Sequence, residues 1–172
     1  MRQRIRSQSG FSLSELLVTV LVMLLATSIV AGGVVAVRNA YINITLKADA
    51  QTLLSTTISA LEDDLRYASN IEEYQYPDKK KYWAFDSADR GYHMYLKNDS
   101  DTEGILVCNT QGTPAIPLVT DKTITSGLIV KLDKELSYNT TQKLFTVTIT
   151  VLNSDKTKQL AKQEIQIKPV NS

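Results

Sequence analysis

The sequence has few of the residues from which catalytic and metal sites are built. Among its 172 residues there is one cysteine, Cys108, and one histidine, His93. A single cysteine cannot form an intramolecular disulfide, so a folded domain must depend on its apolar core. One imidazole and one thiol, in different β-prone runs, do not supply a zinc site or a nucleophile with its base. We therefore expect no enzyme activity and no cofactor, with Cys108 as a buried small residue and His93 as an ordinary strand residue.

Clustered basic residues are also lacking. The chain has 19 Lys and Arg against 18 Asp and Glu, which gives a formal net charge of +1. Nucleic-acid binding usually requires a stripe or patch of Lys and Arg on one face. The sequence contains no such concentration, and we expect no direct binding to nucleic acid.

The chain does contain one long uncharged stretch, from Leu16 to Val37, in which the only polar residues are Thr19, Thr27 and Ser28. At ~1.5 Å per residue it would form a helix of roughly 33 Å, which is long enough to cross the hydrocarbon core of a membrane. Arginines stand at positions 2, 4 and 6, ahead of the run. The positive-inside rule then places the N-terminus in the cytoplasm and the C-terminal part outside.

Glu15 stands at the edge of this run. An ionised carboxylate at membrane depth costs on the order of 2 to 4 kcal/mol and is usually kept only where it has a partner. Glu15 therefore predicts an interaction with a cation.

The segment Gly10-Phe11-Ser12-Leu13-Ser14-Glu15, after a basic leader and before a long apolar run, resembles the N-terminus of type IV prepilins. The resemblance covers roughly the first 40 residues. It implies that a membrane peptidase cuts between Gly10 and Phe11 and methylates the new amine of Phe11. It also implies that Glu15 lies near the N-terminal ammonium of a neighbouring subunit, which gives the buried carboxylate its partner.

A resemblance to this family implies a structural subunit, a minor pilin or a pseudopilin, of a pilus-like filament or of a secretion or DNA-uptake system. Its partners would be other pilin subunits through the N-terminal helix, the prepilin peptidase and the inner-membrane assembly platform. Before assembly the chain would lie in the cytoplasmic membrane with its C-terminal domain outside, and afterwards in a surface filament or its base. Many family members have proline at the position of Gly32, and this sequence departs from that pattern. Glycine weakens a helix but also permits close helix packing, so local loosening and close packing at Gly32-Gly33 both remain open.

Two other interpretations of the N-terminus compete. A secretory signal peptide would be cut after Ala31-Gly32-Gly33, but its apolar core would be unusually long and would begin with a carboxylate. An uncleaved anchor would hold an extracellular binding domain with no filament role. The mature N-terminus discriminates between them: methylated Phe11 indicates a pilin, Met1 an anchor and Val34 a secreted protein.

Beyond Val37 the apolar residues change to a helical stripe, which predicts an amphipathic continuation of the helix. The stripe comprises Leu46, Ala50, Leu53, Leu54, Ile58, Leu61, Leu65 and Ala68. We predict four segments: a basic leader at 1–10, a membrane or filament-core helix at 11–37, its amphipathic continuation at 38–70 and a globular β domain at 71–172.

After a loop around Pro77, β-prone runs alternate with turn residues. The predicted strands are 81–85, 92–97, 105–109, 124–132, 145–151 and 159–168, and the last is expected to pack its apolar side on the helix. The fold class is therefore α+β, with one long N-terminal helix packed on a C-terminal antiparallel β-sheet, as in pilins.

An acidic loop offers a candidate calcium site. Asp99, Asp101 and Glu103 stand at positions 1, 3 and 5 of a calcium-loop pattern, with Gly104 at position 6. Position 12 is Thr110 rather than the bidentate glutamate that an EF-hand uses. A solvated hairpin loop is the better interpretation.

Two further polar or aromatic groups are interpreted as structural. The acids 62, 63, 64, 72 and 73 fall at the end of the helix and are expected to form a solvated acidic edge. The rings of residues 74, 76, 82, 83 and 85 are expected to be core residues with a few exposed rings rather than a partner surface.

Overall fold

The computed structural model describes residues 12–75, 80–99, 104–111, 114–119 and 127–170. These contain one helix, α1 (Leu13–Arg66), followed only by strands. The strands are β1 (Ser69–Gln75), β2 (Lys81–Asp86), β3 (His93–Asn98), β4 (Ile105–Asn109), β5 (Ile116–Pro117), β6 (Ile129–Leu132), β7 (Ser137–Asn139), β8 (Leu144–Leu152) and β9 (Gln159–Ile167). The expected α+β class is confirmed, with one long helix and antiparallel strands.

The chain divides into two units, Met1–Ile44 and Thr45–Ser172. The described part of the first unit consists of Ser12 and the first part of α1. The second unit contains the rest of α1 and all of the described strands. The globular unit therefore begins within the helix, at Thr45.

The strands of the second unit form two antiparallel sheets, where the sequence led us to expect one. Sheet A has the order β1-β2-β3-β4-β5. In sheet B, β9 pairs along the whole of β8, while β6 and β7 pair with different parts of it. Alternation of apolar residues predicts strands but not their partners, because pairing is decided by contacts that are distant in the sequence.

The predicted helical stripe is confirmed within the second unit. Its buried helical residues are Ala50, Leu53, Leu54, Thr57, Leu61, Asp64 and Leu65, and the leucines join one core cluster with residues of both sheets. Each fully buried leucine contributes about 1.5–3 kcal/mol relative to an exposed one. The hydroxyl of Thr57 is satisfied because it donates to the carbonyl oxygen of Leu53 at 2.7 Å.

Aromatic rings join the two sheets. The rings of Phe85 in sheet A and Phe145 in sheet B have centroids 5.6 Å apart. Tyr138 lies 4.7 Å from Phe145 and 5.4 Å from Trp83. The aromatic group around β2 is thus largely core, as expected, although Tyr76 lies outside the described residues.

A side-chain amide also bridges the sheets. The Nδ2 of Asn98, at the end of β3, donates to the carbonyl oxygen of Leu132 at 2.8 Å. The N–H of Leu132, at the end of β6, donates back to Oδ1 of Asn98 at 2.7 Å. Both hydrogen-bonding groups of this amide are therefore used to join sheet A to sheet B.

The helix ends earlier than predicted. We expected it to continue to residue 70, but α1 ends at Arg66, and Ser69–Gln75 form β1, which the sequence did not predict. Asn70 has φ of +48°, and the register shifts between Ser69 and Glu72. Asparagine tolerates this left-handed conformation better than most residues. The strand escaped prediction because it is polar and has no clear apolar alternation.

The remaining strand predictions are confirmed within a few residues. β4 has the predicted bounds, and β2, β3, β8 and β9 differ by one residue at one or both ends. The strand expected at 124–132 is observed from Ile129, with 124–126 outside the described residues. The short strands β5 and β7 were not predicted.

Candidate functional site

The first turn of α1 is held by a hydrogen bond between Ser12 and Glu15. The N–H of Ser12 donates to the Glu15 carboxylate at 3.2 Å, and the N–H of Leu16 donates to the Ser12 carbonyl oxygen at 3.1 Å. This is half of a capping box, in which an acid at the third helical position reaches back to the residue before the helix. The Ser-x-x-Glu spacing is the sequence signal from which this contact could have been predicted.

The charge of Glu15 has no counter-ion in the described part of the chain. No described cation lies within ion-pair distance of its carboxylate, whose one hydrogen bond there is the bond from Ser12. That bond is exposed, so it contributes less than a buried bond to a charged group. It therefore partly satisfies the carboxylate and leaves its charge uncompensated.

The apolar run of α1 exposes its side chains on every face of the helix. Its large apolar side chains, from Leu16 to Val37, are between 50% and 75% exposed. By length and composition this helix can cross a membrane, and none of its most apolar stretch is buried. Such a surface is compatible with membrane anchoring.

The three polar side chains in the run make hydrogen bonds within the helix. The hydroxyls of Thr19 and Thr27 each donate to carbonyl oxygens three and four residues earlier, and the hydroxyl of Ser28 donates to the carbonyl oxygen of Leu25. Hydroxyls satisfied in this way can face lipid or another apolar helix at little cost.

Gly32 and Gly33 lie inside α1. A Cβ added at either position would meet no atom within 4 Å in the described chain. Contacts with the described residues therefore do not explain why these two residues are small. Local loosening and close approach of another helix both remain predictions.

Two of the predicted site residues, Gly10 and Phe11, lie outside the described residues. Cleavage between them and methylation of Phe11 therefore remain predictions.

The candidate calcium loop is only partly described. The N–H of Asp99 donates to the carbonyl oxygen of Gly104 at 2.9 Å, which closes the loop, while Asp101 and Glu103 lie outside the described residues. The described residues contain no cluster of three His, Cys, Asp or Glu side chains placed to hold a metal ion. Calcium binding by this loop remains untested.

His93 lies in β3 between two carboxylates. Its Nδ1 is 2.7 Å from Oδ1 of Asp86, with which it is paired across β2 and β3. Its Nε2 is 3.3 Å from Oε1 of Glu72, but at an angle that makes no hydrogen bond. His93 is thus a polar strand residue whose ring is hydrogen-bonded to the neighbouring strand β2.

Cys108 is buried in β4, as predicted. It packs with Tyr82, Ala84, Tyr95 and Leu106 on one face of sheet A. Burial raises the pKa of its thiol, so the unreactive thiol form is favoured.

Asp64 corrects our expectation of a solvated acidic edge, because its side chain is only 3% exposed. The Nε of Arg90 donates to its two carboxylate oxygens at 3.0 and 3.2 Å, and the hydroxyl of Ser87 donates to Oδ1 at 2.7 Å. Burial by itself would lower the pKa of Arg90, but the charge and hydrogen bonds of Asp64, together with those of Tyr92, outweigh burial and raise it. The cluster ties α1 to the turn between β2 and β3.

Comparison with known proteins gives no relative: no family model, no curated protein and no solved structure matches the chain. Its function must therefore be inferred from its own residues.

Proposed function

We propose that this protein is a structural subunit, a minor pilin or pseudopilin, of a type IV pilus-like filament, and that its precursor is cut between Gly10 and Phe11. The observation that carries the proposal is Glu15. It is a charged group at the start of an exposed apolar helix and has no counter-ion in the described chain. A carboxylate in this position is explained if another chain supplies the cation.

Cleavage after Gly10 would create that cation. The new N-terminus would be the ammonium of Phe11, one residue before Ser12 in the sequence. When two such helices pack side by side in apolar surroundings, the ammonium of one can pair with Glu15 of the other.

The second unit then forms the outer domain of the subunit. It has its own core, built from the second part of α1 and both sheets. It does not need the apolar run for its core, since the buried helical residues begin at Ala50. This leaves the exposed run for the membrane before assembly and for neighbouring helices afterwards.

A single-span anchor that carries an extracellular binding domain is the second candidate. The hydrogen bond from Ser12 favours it, because this bond gives the Glu15 carboxylate a local partner without a second subunit. In an anchor, Glu15 would serve only to begin the helix.

Substitutions at Glu15 distinguish these roles. Glu15→Gln keeps an oxygen that can accept from the Ser12 N–H but removes the charge, whereas Glu15→Val removes both. In a filament subunit both variants leave a neighbouring ammonium without its partner, at a cost of about 3–5 kcal/mol. Both should accumulate in the membrane but be depleted from sheared surface filaments. In an anchor Glu15→Gln should behave as wild type, and equal incorporation of both variants into filaments would refute the proposal.

Processing provides an independent test. Mass spectrometry of the mature chain should find methylated Phe11 at the N-terminus. Gly10→Val should leave the full-length precursor in the membrane, because the peptidase has little room for a side chain at the cut site. A Gly10→Val chain that is shortened normally would contradict the assignment.

A further inference from the structure

The face of sheet B that points away from the core carries a column of threonines. Along β8, residues 145, 147, 149 and 151 are buried in the core, while Thr146, Thr148 and Thr150 alternate with them on the other face. Thr150 is paired with Lys131 of β6 on one side and with Lys162 of β9 on the other. Cross-strand partners on one face lie about 4.5–5.5 Å apart at Cβ, so the two lysines flank this threonine.

Thr150 has an unusual environment for a hydroxyl. The residue is only 2% exposed, and its Oγ1 has no hydrogen-bond partner among the described residues. Its neighbour Thr148 differs, because its hydroxyl donates to Oε2 of Glu164 at 3.4 Å. A buried hydroxyl without a partner destabilises the folded state. Valine would have nearly the same shape at position 150 without this cost.

Of the two lysines that flank this hydroxyl, one forms an ion pair with a described residue and the other does not. The Nζ of Lys162 is 2.5 Å from Oδ2 of Asp133, which follows β6. The hydrogen bond from Lys162 lowers the pKa of Asp133, and the positive charges of Lys162, Lys131 and Lys134 lower it further. Lys131 forms no ion pair within the described ranges.

Among the described residues, an ammonium group without an ion pair, that of Lys131, therefore flanks an unsatisfied donor.

We propose that Thr150, Lys131 and Lys162 form a binding site for a phosphate group. Phosphate oxygens can accept from the Thr150 hydroxyl and from both ammonium groups, and lysine is a common phosphate ligand. Because the hydroxyl is covered in the free chain, binding requires the flexible lysine side chains to change rotamer. The site goes beyond the filament proposal and does not depend on it.

The test uses the full chain in alkyl maltoside micelles, which contain no phosphate. Inorganic phosphate is titrated at constant ionic strength against sodium chloride, and binding is followed by the Thr150 methyl resonance and by Tm. We expect a saturable shift with phosphate and none with chloride. Thr150→Val should bind phosphate about tenfold more weakly, since it loses a hydrogen bond to a charged group. Without phosphate its Tm should equal or exceed that of wild type.

Two controls isolate the site. Thr148→Val removes a hydroxyl from the same face that already has a partner, and it should leave phosphate affinity unchanged. Lys131→Gln should weaken binding, whereas Lys143→Gln, at the exposed turn before β8, should not. The Lys131→Gln variant also keeps the proposal testable if Thr150→Val does not fold.

The source of the phosphate is resolved by two further ligands, a soluble glycerol phosphodiester and phosphatidylglycerol vesicles. Binding of inorganic phosphate or of the soluble diester that depends on Thr150 supports the site. Three results would overturn it: binding to vesicles alone, unchanged phosphate affinity in Thr150→Val, or a lower Tm of phosphate-free Thr150→Val. The last would show that the hydroxyl has a partner in the free protein.

Discussion

Removal of Arg90 should destabilise the second unit much more than neutralisation of its partner Asp64. In Arg90→Ala, the Asp64 carboxylate stays buried with only the Ser87 hydroxyl as a donor. Breaking a buried ion pair in this way costs about 3–5 kcal/mol. That is a large part of the 5–15 kcal/mol by which domains are typically stable.

Asp64→Asn should cost less, about 1–2 kcal/mol, because it loses charge-assisted bonds but leaves no buried charge. Its amide oxygen can still accept from Ser87, and the Arg90 side chain, 25% exposed, can reach water. The double variant Asp64→Asn/Arg90→Ala should therefore be more stable than Arg90→Ala alone.

These free energies of unfolding can be measured by urea titration of the full chain in micelles, followed by the fluorescence of Trp83, the single tryptophan. Arg66→Ala is the matched control, because its ion pair with Glu62 is exposed and should contribute about 0.5 kcal/mol or less. A double variant less stable than Arg90→Ala, or a cost for Arg90→Ala close to that of Arg66→Ala, would refute the reasoning.

Three further predictions concern the same domain. Asn98→Ala should lower the free energy of unfolding by about 2–4 kcal/mol, because it removes both bonds to Leu132, one from a backbone N–H, and urea titration would measure this loss. Lys162 lowers the pKa of Asp133, so the stability that this pair contributes is present above the unfolded pKa of about 3.9 and is lost as the pH falls through the lower folded value. The stability difference between wild type and Lys162→Gln should accordingly be larger at pH 7 than at pH 2. Cys108 should react with a thiol reagent far more slowly in the folded chain than in urea, because it is buried and its pKa is raised; equal rates would contradict this.

The positions of the helix and of most long strands could be predicted from local patterns in the sequence. The apolar run from Leu16 to Val37 and the stripe beyond it are periodic along one element, so both could be predicted before any contact was known. The same holds for the alternating residues of β8 and for the bounds of β4. In the candidate assembly site, Glu15 and the apolar helix could be identified from the sequence. The Ser-x-x-Glu spacing is also typical of the hydrogen bond between Ser12 and Glu15.

Only the tertiary structure decided which polar residues are buried and which strands share a sheet. Asp64 looked like part of a solvated acidic edge because Arg90, its partner, is 26 residues away in the sequence. Thr150 looked like its threonine neighbours until the register of β6 and β9 placed a lysine on each side of it. The polar strand β1 and the division into two sheets could not be predicted either, because both depend on pairing between residues that are distant in the sequence. Periodicity reports which face of an element is apolar, whereas pairing and polar burial depend on groups that the fold brings together from distant positions.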